Sequence, residues 1–116
     1  MNSVVISQPQ GLISTANAST TPLGIAGVYT GTGEQNFFPH AMVSCFSNVA
    51  GTLFLEFSID NTNWHPEPLA GYALAAGLHI MPKGLKGPMY FRARYVNGGT
   101  GQATFRLKVY YGTFSA

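Results

Sequence analysis

Four of the chain's six cations, Arg92, Arg94, Arg106 and Lys108, fall within seventeen residues of the stretch YFRARYVNGGTGQATFRLKVYYG, Tyr90 to Gly112. Grouped guanidinium and ammonium groups bind phosphates or carboxylates, so the class of partner is the first question. The net charge is only +2, far short of the dense basic footprint of a nucleic-acid binder. An acidic protein surface or an internal carboxylate is then the natural match. The acidic side chains are Glu34, Glu56, Asp60 and Glu67, and Glu56, on a predicted neighbouring strand, is the internal candidate.

Catalysis finds little to work with. Glu56 and Asp60 stand four residues apart, about 13 Å along a strand rising roughly 3.3 Å per residue, which exceeds the usual glycosidase spacing. They read as a solvated strand face. His40, His65 and His79 are scattered over three segments without HxH or HxxxH spacing. A histidine gathered about the threefold axis of a trimer is the metal arrangement that remains open. The glycine-rich GTGEQ and NGGTGQ lack the GxxxxGK[ST] pattern of a phosphate cradle and read as β-turns. The sequence thus predicts no enzyme, no metal centre and no cofactor.

In SIDNTNWHPEP, Asp60, Asn61 and Asn63 have oxygens that suit calcium, but side chains in such turns cap their own backbone first. Trp64, the single tryptophan, is expected to close one end of the core beside Pro66 and Pro68. The alternative is that it stacks on a sugar ring, with Tyr72 and Tyr90 as further glycan contacts. The single cysteine, Cys45, cannot form an internal disulfide and reads as a small core residue.

The elements that must position these residues are strands. With 14 glycines, 7 prolines and 13% aromatic residues, and turn signals every ten residues or so, the chain reads as all-β. In TLFLEFSID, Leu53, Leu55, Phe57 and Ile59 alternate with Thr52, Glu56, Ser58 and Asp60. ATFRLKVYY repeats the pattern, with Phe105, Leu107, Val109 and Tyr111 inward. HAMVSCFSN, GLHIMPKG and PMYFRARYV supply further strands, and Leu23 to Thr30 another. The expected fold is a single antiparallel β-sandwich over 23–116, jelly-roll-like, with about seven or eight strands and no substantial helix. Residues 1–22 form an extended N-terminal arm or an edge strand of the same domain. Parity then puts Arg92, Arg94, Arg106 and Lys108 together on the outer face of one hairpin closed by NGGTGQ.

Charged residues make up 9% of the chain, against about 25% in ordinary soluble domains. A surface so poor in charge is either a tolerated neutral one or one covered by other protein. Residues 1–33 carry no charged side chain, and Val4, Val5, Ile6, Leu12 and Ile13 are candidate contacts of the arm with a neighbour. No apolar run approaches 18 residues and no leader pattern opens the chain, so the expectation is no membrane span and synthesis in the cytoplasm.

In order and spacing, GVYTGTGEQ, AGTLFLEFSIDNTNW and MYFRARYVNGGTGQATFRLKVYYG resemble small β-sandwich modules of tailed-bacteriophage virions, over roughly residues 27–112. The resemblance implies a structural protein of the virion, most simply a capsid decoration or cement protein that binds the outer shell and stabilises it. Its partners would be the major capsid protein and copies of itself, most simply in a trimer at a threefold position. A tail or fibre module that recognises host carbohydrate is the alternative. Asn61 stands where the pattern tends to have glycine, and Asn tolerates the left-handed conformation of that turn.

Overall fold

Alternation of apolar and polar side chains builds two layers. The computed structural model describes residues 11–35 and 38–113. Nine strands run in order: β1 (Gly11–Ser19), β2 (Val28–Thr30), β3 (His40–Ser47), β4 (Gly51–Ser58), β5 (His65–Pro66), β6 (Tyr72–Leu74), β7 (Gly77–Gly84), β8 (Tyr90–Asn97) and β9 (Phe105–Gly112). One sheet, called A here, has the order β1-β9-β3-β7; the other, B, has β2-β8-β4-β5, with β6 also on β4. All pairings between these strands are antiparallel.

The sandwich expected from sequence is present, with one strand more than the seven or eight expected. β5 and β6 are two short pieces along the same edge of β4. Counted as one interrupted strand, they bring the total to eight, and the sheet orders become 1-8-3-6 and 2-7-4-5. Every connection except the one after β4 then crosses between sheets, as in a jelly roll.

The strand expected over Leu23 to Thr30 shortens to Val28–Thr30. Ahead of it, Gly27 N donates to Gly24 O (3.0 Å) and Ala26 adopts a left-handed φ of 56°. Leu23 is instead bonded to Gln102 through both its N–H and its carbonyl.

Between the layers, sheet A contributes Ala41, Val43, Cys45, Phe105, Leu107, Val109 and Tyr111, and sheet B contributes Leu53, Leu55, Phe57, Phe91, Ala93 and Tyr95. Rings join the layers, with Phe91 edge-on to Tyr111 at 6.1 Å and Tyr95 against Phe105 at 5.0 Å. Such pairs contribute about 0.5–1.5 kcal/mol each beyond area burial. Cys45 is buried, and desolvation pushes its thiol up to about 12; it is a core residue, as its sequence context suggests.

Residues 11–19 of the expected arm form an edge strand on β9. Ile13 pairs Tyr110 and Ala18 pairs Lys108, so the chain bulges between them and turns Ser14 and Asn17 inward. Ser14 Oγ (2.6 Å), Asn17 Nδ2 (2.9 Å) and the Tyr111 hydroxyl (2.7 Å) all donate to Glu34 Oε1. Asn17 Oδ1 accepts from Ala93 N at 2.8 Å, joining β1 to the opposite sheet. A Cβ at Gly31 would lie 1.9 Å from that oxygen, which accounts for the glycine. Burial first, and then the bond to Glu34, raises the Tyr111 hydroxyl well above its usual range. Val4, Val5 and Ile6 lie outside the described residues.

Candidate interaction faces

The four clustered cations do not share a surface. β8 belongs to sheet B and β9 to sheet A, so Arg92 and Arg94 face out on one side of the sandwich and Arg106 and Lys108 on the other. The sequence expectation of one basic hairpin face is therefore corrected. The link between the strands is an arch over the end of the core. Asn97 Nδ2 donates to Gly24 O and Thr100 O, both at 2.8 Å, and Asn48 Oδ1 accepts from Ala103 N and Thr104 N.

On the outer side of sheet B, Glu56 is opposite Arg92 and Phe54 opposite Arg94. Glu56 Oε1 accepts from Arg92 Nε at 2.8 Å and Oε2 from Arg94 Nε at 3.0 Å. Each guanidinium also lies over a ring, Arg92 on Trp64 at 4.2 Å and Arg94 on Phe54 at 4.1 Å. Stacking and charge-assisted bonds together suit arginine's planar group. Glu56 is only 3% exposed, so it is not the solvated residue expected from alternation. The internal partner proposed for the cations is thus real for two of the four.

Trp64 covers Arg92 and does not plug the core. A Cβ at Gly33 would sit 2.7 Å from the Trp64 ring, so glycine there lets the indole lie down. Tyr90 is on the same outer side, opposite Ser58, whereas Tyr72 pairs with inward-facing Leu53 and packs against the core. The three candidate glycan rings do not line one surface.

Past β4, Asp60 Oδ1 accepts from Ser58 Oγ (2.9 Å), Thr62 N (2.9 Å) and Asn63 N (2.8 Å), and Oδ2 from Asn63 Nδ2 (2.8 Å). These bonds, led by those from Asn63, hold its carboxyl well below the usual carboxylate range. Asn61 has φ 60°, the left-handed conformation its place in the motif requires. This is a self-capped turn. His40, His65 and His79 lie on β3, β5 and β7, and no three metal-ligating side chains come together among the described residues.

The outer side of sheet A is different in kind. A shallow groove of about 430 Å³ is lined by Ile13, Met42, Ile80 and Tyr110 with Arg106 and Lys108. Ile13 is 55% exposed, and Leu78 and Ile80 are each 59% exposed; Leu12, also exposed, pairs with inward-facing Tyr111 and lies off this face. Arg106 lies over Phe46 at 4.5 Å. Among the described residues no carboxylate pairs with Arg106 or Lys108, whereas Lys83 and Lys86 share Glu67 at 3.8 and 3.3 Å. Sequence reasoning found Arg106, Lys108 and Ile13 but missed Met42, Phe46 and Ile80, which only the strand order brings beside them.

The family model described as "Uncharacterised protein YqxG N-terminal domain" matches residues 6–112. A solved structure titled "Crystal structure of PBSX exported protein XepA" is similar in fold, with a TM-score of 0.76 at 24% identity. The match covers 98% of this chain and 41% of that one, so the chain spans less than half the length of that protein. No curated protein matches the sequence.

Proposed function

The chain belongs to the YqxG N-terminal domain family, and on that premise we propose that it is a phage-associated structural module, in its finer form a capsid decoration protein. The ordered motifs over roughly residues 27–112 resemble virion modules, and the jelly-roll sandwich they fold into is a scaffold that displays broad, flat faces. The observation that carries the reading is the outer side of sheet A, where, among the described residues, apolar side chains stay exposed and two cations have no carboxylate partner. A patch of that kind on an otherwise charge-poor chain suits a surface that another protein covers.

Binding would come from apolar burial at about 25 cal/mol per Å², much of it offset by ordering and desolvation. Many weak contacts, repeated over a symmetric shell or within a trimer, then act together through avidity. A module of this fold is also found within a longer chain, since the match covers 41% of the XepA structure. The glycan alternative has less support, because Trp64 is occupied by Arg92 and Tyr72 faces the core.

Quantitative mass spectrometry on purified particles, separated into shells and tails, tests the proposal. The expected result is many copies per shell. Recovery in tails alone would move the module to the tail, and absence from particles would end the structural reading.

A further inference from the structure

The two outer faces carry related four-residue arrangements that differ at two positions, Glu56 against Ser44 and Arg92 against Lys108. On sheet B, Phe54 is opposite Arg94 and Glu56 opposite Arg92. On sheet A, Phe46 is opposite Arg106 and Ser44 opposite Lys108. In both, an arginine lies on the phenyl ring across from it, at 4.1 and 4.5 Å, and a second cation stands two residues away on the same strand, before it on β8 and after it on β9. Ser44 therefore occupies on sheet A the place that Glu56 holds on sheet B.

We infer that the partner docked on sheet A is a protein surface that brings its own carboxylate to the Ser44 position, between Arg106 and Lys108, beside an apolar contact on Ile13, Met42 and Ile80. The inference rests on the structural reading above and deepens it by naming the partner's chemistry. Charge complementarity selects the occupant. A second copy of this chain, packed face to face about a twofold axis through the groove, would bring Arg106 and Lys108 close to their equivalents and be repelled. Two cations on a flat sheet face also fall well short of the clusters of basic side chains by which proteins hold anionic membranes. A carboxylate arriving between the two cations instead gains charge-assisted hydrogen bonds in a site whose floor is apolar.

The test uses particles carrying the full chain, treated with a water-soluble carbodiimide that joins an amine to a carboxylate in contact with it. The expected product links Lys108 to an Asp or Glu of a different particle protein. Arg106→Glu/Lys108→Glu and Ser44→Glu, the latter supplying the missing carboxylate internally, should each lower copies per particle about tenfold or more. Ser44→Gln, of the same size without charge, should retain near wild-type occupancy. Melting curves of each free variant keep loss of fold separate from loss of docking.

Linkage of Lys108 to a second copy of this chain would overturn the inference. So would equal loss with Ser44→Gln, or binding of the free chain to phosphatidylglycerol vesicles that Lys108→Glu abolishes. Undiminished incorporation of both charge variants refutes this inference alone, whereas absence of the wild-type chain from every particle fraction refutes the structural reading and this inference with it.

Discussion

The two faces of the sandwich show how one set of residue types yields either a finished surface or an open one. On sheet B, Glu56 lies between Arg92 and Arg94, and Trp64 and Phe54 cover the guanidinium groups. On sheet A, Arg106 rests on Phe46 with Lys108 beside it, and Ser44 stands where the carboxylate would be. Arg92 against Lys108 keeps the charge, whereas Glu56 against Ser44 removes the carboxylate, and on the reading proposed above that loss leaves the sheet A cations to a partner.

The largest effect that can break this comparison is removal of Glu56. Glu56→Ala leaves two arginines facing each other under rings, and should cost about 2–3 kcal/mol in urea unfolding, below the value for a fully buried pair because both arginines keep some solvent contact. A cost under about 0.5 kcal/mol would make the sheet B cluster no different from an ordinary surface pair.

A smaller effect belongs to the turn that follows β4. Because the folded Asp60 carboxyl is held below its usual range, its contribution is complete above the unfolded value of about 3.9 and is lost as pH falls toward the folded one. Asp60→Asn should therefore melt below wild type at neutral pH, with the gap closing below about pH 4. A gap independent of pH would remove the carboxylate from the account.

Smaller still is the gain from completing sheet A. Ser44→Glu should stabilise the free protein by about 0.2–1 kcal/mol, a cross-strand pair of opposite charge, with the gain fading at high salt. The smallest change should come from Arg106→Ala/Lys108→Ala, expected within about 1 kcal/mol of wild type in the free protein because, among the described residues, neither cation has an ionic partner to lose, only the Phe46 stack.

Much of the fold was legible because a strand with one buried face repeats every two residues. Leu53, Leu55 and Phe57 against Glu56 and Ser58, and Phe105, Leu107 and Val109 against Arg106 and Lys108, gave the inward and outward sets directly. Asn61 was legible as a left-handed turn residue for a local steric reason. Sheet membership was not. Parity reports which side of a strand faces the core, but consecutive strands on opposite sheets both have an outside, and those outsides point away from each other. Arg94 and Arg106 therefore look alike in sequence and lie on opposite sides of the molecule.

Trp64 was misplaced for a related reason. A large apolar ring is expected in the core, and only the register that sets Glu56 across from Arg92 reveals a cation for it to cover. Nor did sequence disclose that Ser14, Asn17 and Tyr111 converge on Glu34, since the bulge in β1 and the pairing with β9 bring them there.

A reconstruction of the intact particle by electron cryomicroscopy tests most directly whether sheet A is the docking face. The expected result is density of another protein over Ile13, Met42 and Ile80, with an acidic side chain between Arg106 and Lys108 and the Trp64–Arg92 face left in solvent. A partner seated on Trp64 and Arg92, with the sheet A groove open to water, would contradict it.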